Sequence, residues 1–240
     1  LKYLKISKMK NKELIVVIPV YNEQEIIATV IKKWTKLLSD MMIDFEIRVY
    51  NDGSKDNTLK TLRDLESKYS NLKIIDKTNS GHGPTILKGY KESLNAEWIF
   101  QIDSDDEIDV TYFPELWNYR NQYDFLIGKR MNRNTPAIRK LISLISRLTI
   151  SILYGNRVYD VNCPYRLMRT SAVKGFIPSI PDDTLAPNLI IAGMASQKKL
   201  AVFQTEVRFK FRTTGEVSIK RWKLIKFSVK SFWQTFLYRF

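Results

Sequence analysis

Residues 98–107, Trp98-Ile99-Phe100-Gln101-Ile102-Asp103-Ser104-Asp105-Asp106-Glu107, run from a largely apolar segment into five polar positions, four of them acidic. A short apolar run closed by turn-forming residues reads as a buried strand that ends at a loop. Three earlier segments have the same form: Leu14 to Val20, Phe45 to Tyr50 and Leu72 to Asp76. Between them lie stretches of helical period. Ile26, Ile27, Val30, Ile31, Trp34 and Leu38 form one stripe, and Leu59, Leu62, Leu65 and Tyr69 form another. This alternation predicts an α/β fold with a mostly parallel sheet flanked by helices.

In such sheets ligands collect beyond the carboxyl ends of the strands. The residues there are Tyr21-Asn22-Glu23, Asn51-Asp52-Gly53-Ser54, Ser80-Gly81-His82-Gly83 and the acidic run from Asp103. Strand alternation would put Asp103, Asp105 and Glu107 on one side, a pattern that suits a hard divalent cation and equally a solvated acidic turn. Asp52 reads either as a loop and cap residue or as an acceptor for a nucleobase or ribose donor, and Glu23 as a helix-start acid or a ribose ligand. The glycines around His82 let backbone donors approach phosphate. Neither a Walker loop nor a dinucleotide fingerprint is present, and no nucleophile elbow accompanies the single histidine.

Composition narrows the partners. The 240 residues carry 39 Lys and Arg against 25 Asp and Glu, a net charge of +14, which suits phosphates, nucleic acid or an anionic membrane. One cysteine, Cys163, excludes an internal disulfide, so a cytoplasmic setting is expected. No run reaches the roughly 18 apolar residues of a membrane span. The chain opens on Leu rather than Met, which leaves room for an anchor beyond either end. Ile138 to Leu153 reads as an amphipathic helix, Leu200 to Phe211 as a strand or hairpin arm, and Ile219 to Phe240 as a basic, aromatic amphipathic helix. That last segment holds seven aromatic and six basic residues and no acid, the composition of an interfacial helix. The division expected is 1–216 as the main domain and 217–240 as that helix.

The motifs together resemble family 2 glycosyltransferases: Ile18-Pro19-Val20-Tyr21-Asn22-Glu23, Asn51-Asp52-Gly53-Ser54 with Asp56, Asn79-Ser80-Gly81-His82-Gly83, and Asp103-Ser104-Asp105. Gly128-Lys129-Arg130, Arg139 with Ser143, Asp160 to Arg166, and Arg212 to Gly215 with Ser218 are similar to the later motifs of the dolichyl-phosphate mannose synthase and polyprenyl-phosphate glycosyltransferase branch. The resemblance implies a GT-A fold, an inverting transfer from a nucleotide sugar, and Mg²⁺ or Mn²⁺ at Asp103, Asp105 and Glu107. It implies nucleotide-sugar contacts at Pro19, Tyr21, Glu23, Asp52, Gly81, His82 and Asp103. Arg130, Arg139 and Ser143, with Arg166, would hold an acceptor phosphate, and Arg212 the donor diphosphate. The chain departs from the pattern at Glu107, where relatives often have Gln, at Asn51 for Asp, at His82 for Lys, and at Ile219, which splits the Ser-Lys pair Ser218 and Lys220.

The acceptor expected is a polyprenyl phosphate, met on the inner face of the membrane by a peripherally attached enzyme. A lipid-linked saccharide is the alternative; its hydroxyl would call for a base, for which Asp182-Asp183 is the candidate, although the pair also reads as a cap after Pro181. A non-enzymatic nucleic-acid binder accounts for the charge but not for acidic strand ends, which repel phosphate. No nucleic acid is expected.

Overall fold

The computed structural model describes residues 12–131, 137–209 and 221–239. Strand β1 (Leu14–Val20) is buried along its whole length, as a central parallel strand must be. Helix α1 (Ile27–Asp40) follows and buries the expected stripe, Ile27, Val30, Ile31, Trp34 and Leu38. The alternation continues through β2 (Phe45–Asp52), α2 (Thr58–Glu66), β3 (Leu72–Lys77), α3 (His82–Glu92) and β4 (Trp98–Gln101). Beyond it come α4 (Phe113–Tyr119), β5 (Phe125–Met131), α5 (Ala137–Tyr154), β6 (Arg166–Arg169), α6 (Thr170–Val173), α7 (Pro187–Gln197), β7 (Val202–Arg208) and α8 (Arg221–Arg239).

The described strands form one sheet in the order β3-β2-β1-β4-β6-β5-β7. β1 pairs in parallel with β2 and β4, and β2 with β3, while β6 runs antiparallel to both β4 and β5. The reversed strand lets β5 and β7 extend the sheet as a second parallel pair. The ends of β1, β2, β3 and β4 therefore open onto one rim, with the chain reversing there into α1, α2 and α3.

The second half carries weaker periodic signals in its sequence. Helix α7 shows no amphipathic stripe because nearly every residue of it is buried, the state of a helix enclosed in a core. It packs on α5 and α3. Helix α8 carries the opposite surprise. Among its described side chains Ser231 and Thr235 are the buried ones, whereas Val229, Trp233 and Leu237 are more than half exposed. Tyr154 donates its hydroxyl to the Thr235 carbonyl (2.7 Å), Tyr238 to the Phe176 carbonyl (3.1 Å), and Gln234 Oε1 accepts from the Leu185 N–H (2.9 Å). Polar groups thus fasten the helix to the domain, while Val229, Trp233 and Leu237 face outward. No described helix is long and apolar enough to cross a membrane.

The loop that Gln234 holds also seats α3. A methyl group on Gly83 would lie 2.0 Å from the Leu185 carbonyl oxygen and 2.7 Å from that of Thr184, so only glycine lets the start of α3 meet this backbone. Gly83→Ala is therefore expected to cost about 1–3 kcal/mol, read as a lowered melting temperature; an unchanged melt would mean that the loop yields freely.

Candidate active site

Asp52, the last residue of β2, is buried and anchors the rim. Its Oδ1 accepts from the Ser80 N–H and its Oδ2 from the Gly81 N–H, both at 2.9 Å. Lys77, at the end of β3, donates Nζ to Oδ1 as an ion partner, and also to the Thr78 carbonyl and Ser80 Oγ at 2.7 Å. The Asp52 carbonyl accepts from Asn79 Nδ2 at 2.7 Å. Burial pushes the Asp52 carboxyl up, but the hydrogen bonds from Lys77, the Ser80 amide and Thr85, with the Lys77 charge, outweigh it and hold the group below the usual carboxylate range. Lys77 was not among the sequence candidates; a lysine closing a strand gives no signal until its partner across the sheet is known.

This clamp shapes the glycine loop. Gly81 lies at φ +92°, a left-handed conformation that L side chains rarely adopt. Next in the chain His82 begins α3, and its Nε2 lies 3.6 Å from Asp103 Oδ1. Asp52, Gly81, His82 and Asp103 are thus consecutive links of one wall. The loops after β1 and β2 are also laced together: Asn22 N–H donates to Ser54 Oγ (2.9 Å), Glu23 N–H to Thr58 Oγ1 (2.8 Å) and Lys55 N–H to Asn22 Oδ1 (2.8 Å). Asn22 takes a φ of 54° to do so. Glu23 is half-buried and Tyr21 exposed at this edge. Pro19 is different: it is buried inside β1 opposite Tyr50, so it shapes the strand and presents no surface at the rim.

Past β4, Asp105 accepts the Glu107 N–H at 3.2 Å and Asp106, at φ 55°, pairs with Lys33 of α1 at 2.5 Å. Asp103, Asp105 and Glu107 share the lining of a cavity of about 20 Å³ with Trp34, Tyr165 and Phe209. They do not close into a cage: among the described residues no three His, Cys, Asp or Glu side chains converge to hold a metal ion.

The arginines divide. Arg130, on β5, forks onto Asp160 with Nε to Oδ2 at 2.6 Å and Nη2 to Oδ1 at 2.7 Å, and its guanidinium lies 5.8 Å from the Phe209 ring centre. Burial opposes its charge, but Asp160 more than restores it and raises the pKa. Arg166 corrects an expectation. It has no exposed surface, and its donors go to the carbonyls of Cys163 (2.7 Å), Asn188 (3.1 Å) and Val161 (3.3 Å). A guanidinium sealed in this way has no reach to an acceptor phosphate; it is a brace beneath the rim. Ser143 is exposed on α5. Arg139 belongs to α5, with its side chain outside those described, and Arg212, Ser218 and Lys220 lie outside the described residues. Asp182, the candidate base, is exposed and paired with Lys91 at 2.6 Å, whose hydrogen bond and charge hold its carboxyl below the usual range. Cys163 is buried, and burial together with Asp160 pushes its thiol up to about 12, which makes it inert at neutral pH.

The model of glycosyl transferase family 2 matches residues 15–177, more than half of the chain. An undecaprenyl-phosphate 4-deoxy-4-formamido-L-arabinose transferase of Photorhabdus laumondii is 25% identical over 217 residues, covering 89% of this chain and 65% of its own. A dolichyl-phosphate beta-glucosyltransferase of Trichomonas vaginalis is 24% identical over 233 residues, covering 89% and 68%. Across the curated relatives it matches, the chain spans roughly half to two thirds of their length. Among solved structures, glucosyl-3-phosphoglycerate synthase from Mycobacterium tuberculosis, in complex with Mn²⁺, uridine diphosphate and glucosyl-3-phosphoglycerate, superposes with a TM-score of 0.67 at 16% identity, over 95% of this chain and 80% of that one. This likeness shows the GT-A-like fold.

The Asp52 clamp gives a pH signature. A carboxyl whose folded pKa is depressed stabilises the fold above its unfolded value, about 3.9, and that contribution fades as pH falls through the folded pKa. The melting-temperature gap between the wild type and Asp52→Asn is expected to be largest near neutral pH and to shrink below about pH 4. Lys77→Met, which strands a buried carboxylate, should cost roughly 3 kcal/mol. A gap that stays constant with pH would show that the Asp52 charge does not matter.

Proposed function

The chain belongs to glycosyl transferase family 2, and on that premise we propose that it transfers a sugar from a nucleotide donor to a polyprenyl phosphate at a membrane surface, with inversion at the anomeric carbon. The observation that carries this reading is the continuous wall from Asp52 through Gly81 and His82 to Asp103. It supports one cleft in which the nucleoside meets Asp52 and Glu23, with Tyr21 at the edge, and the diphosphate runs past the glycine loop toward the acids. A carboxylate has about four acceptor positions, and Lys77, the Ser80 and Gly81 amides and Thr85 draw on those of Asp52, so in this reading Asp52 serves the nucleoside chiefly by fixing the backbone that lines the cleft.

The residues beyond β4 fit a divalent cation. Asp103 and Asp105 supply hard oxygen donors without enclosing the ion, and Mg²⁺ or Mn²⁺ is commonly held by one or two carboxylates with substrate phosphates and water completing the shell. In this reading Asp105 and Asp103 hold the ion, with Glu107 orienting Asp105 through its N–H. When bound, such an ion offsets negative charge on a departing diphosphate. In this reading Arg130, kept charged by Asp160, serves the acceptor phosphate, and by motif position Arg139 and Ser143 would join it and Arg212 would serve the donor.

A phosphate acceptor is already ionised at neutral pH and needs no base to attack. Pairing of Asp182 with Lys91 weakens its candidacy as a base and favours phosphate over a saccharide hydroxyl. The membrane part of the proposal rests on α5 and α8. Ile145, Leu148 and Ile152 of α5 and Val229, Trp233 and Leu237 of α8 are each close to half exposed or more, and the two helices touch. Together with the basic residues of 217–240, this surface suits peripheral attachment to anionic lipid.

Two experiments test these parts. With Mn²⁺ and a panel of UDP-glucose, UDP-N-acetylglucosamine and GDP-mannose, the wild type should transfer sugar to a polyprenyl phosphate and not to a lipid-linked saccharide. Asp105→Asn keeps the acceptor for the Glu107 N–H and removes the charge, so transfer should fall about 100-fold or more with little change in melting temperature. Product from the saccharide alone would discard the phosphate acceptor. In flotation with anionic liposomes, the wild type should rise with the lipid and the double variant Trp233→Glu, Leu237→Glu should stay behind; equal flotation would discard α8 as the attachment surface.

A further inference from the structure

Strand β4 breaks its own apolar pattern at its last residue. Gln101 is wholly buried, set between Val17 of β1 and Arg166 of β6 in the sheet register. A primary amide in such a place destabilises the fold unless both its ends find partners. Its Nε2 donates to Asp103 Oδ1 at 3.0 Å. Its Oε1 lies 3.2 Å from Asn188 Nδ2 and 3.2 Å from the Tyr90 hydroxyl. That hydroxyl also lies 2.9 Å from Asn188 Oδ1.

These contacts admit one pattern of donors. A phenol has a single proton, and the shorter contact directs it to Asn188 Oδ1. Asn188 then turns its NH₂ to Gln101 Oε1, which leaves the Gln101 NH₂ facing Asp103. Tyr90 is fully buried, and burial keeps its phenol protonated well past neutral pH. Arg166 completes the support: its Nη1 donates to the Asn188 carbonyl, holding the first turn of α7. Helix α3, strand β4 and helix α7 thus converge behind a single carboxylate oxygen.

We propose that Gln101 is a positioning residue for Asp103, and that the relay from Tyr90 through Asn188 to Gln101 holds this carboxylate in the orientation that receives a nucleotide sugar and its cation. The inference rests on the transferase reading above. A neutral amide suits the task for a specific reason. Lys or Arg in its place would fix Asp103 as firmly but would cancel the negative charge that a cation needs, whereas an amide orients the carboxylate and leaves its charge intact. Partners of this kind typically change metal affinity or activity by about 10- to 100-fold when removed.

The test uses the full chain with Mn²⁺ and whichever of UDP-glucose, UDP-N-acetylglucosamine or GDP-mannose the wild type hydrolyses fastest. Gln101→Leu should raise the donor KM roughly 10- to 100-fold while kcat at saturation stays within about threefold. Asn188→Leu should do the same, and the double variant should be no worse than the worse single one, because both remove one relay. A donor KM equal to the wild type in a folded Gln101→Leu protein, or losses that multiply in the double variant, would overturn the proposal. If Gln101→Leu does not fold, Tyr90→Phe deletes only the hydroxyl; a rise in KM of about threefold or more supports the relay, and an unchanged KM overturns it. A wild type that leaves every nucleotide sugar intact overturns the transferase reading and this role together, whereas wild-type turnover with unaltered variants overturns this role alone.

Discussion

A carboxylate at the end of one strand and a lysine at the end of its neighbour hold the rim of this molecule in shape. Asp52 and Lys77 share a largely buried ion pair, and each spends its remaining capacity on the backbone that follows β3. That pair, with the Ser80 and Gly81 amides, sets the course of a loop in which Gly81 alone takes a left-handed φ. The start of α3, the approach of His82 to Asp103 and the contact of Gly83 with Leu185 all inherit their positions from it. A buried pair of this kind adds little net stability compared with apolar packing, but losing one partner is costly. Its value here is geometric.

The same economy governs the rest of the charge. The chain has an excess of fourteen positive charges, yet Arg130 and Arg166, deeply placed near the rim, are answered in different ways. Arg130 keeps its charge through an ion pair with the Asp160 carboxylate, and Arg166 is hydrogen-bonded to main-chain oxygens. Acids, in contrast, gather where β4 ends, in a cavity walled by Trp34, Tyr165 and Phe209. A negatively charged cluster in a basic protein, backed by apolar and hydrogen-bonded groups, is suited to draw in a cation along with an anionic substrate. The outward apolar residues of α5 and α8 suit the lipid-tethered acceptor proposed above.

Much of this was legible in the residues. The runs at Leu14, Phe45, Leu72 and Trp98 became four strands because parallel strands buried on both faces leave a continuous apolar trace, and their polar endings named the rim. The later strands were harder. β6 has only four residues, two of them arginine, and α7 is apolar on every side, so neither shows a period. The arginine expectations failed at Arg166 because a motif gives a position along the chain and not a depth in the fold. Gln101 gives no signal for a related reason: an amide at the end of an apolar run looks like the first residue of a turn, and only the arrival of Tyr90 from α3 and Asn188 from α7, 98 residues apart, shows it as the centre of a network. The last helix was legible in composition but not in orientation. Which side of it touches the domain was decided by Gln234, Thr235 and Tyr238, residues that a stripe of aromatics overshadows.

Most directly at stake is whether the carboxylates at the end of β4 seat a cation beside a nucleotide. Anomalous diffraction from crystals grown with Mn²⁺ and a nucleoside diphosphate would show this. The account predicts a manganese peak in contact with the carboxylates of Asp105 and Asp103, with the diphosphate reaching it along the Ser80–Gly83 loop. A nucleotide bound elsewhere, or a manganese peak remote from both residues, would contradict it.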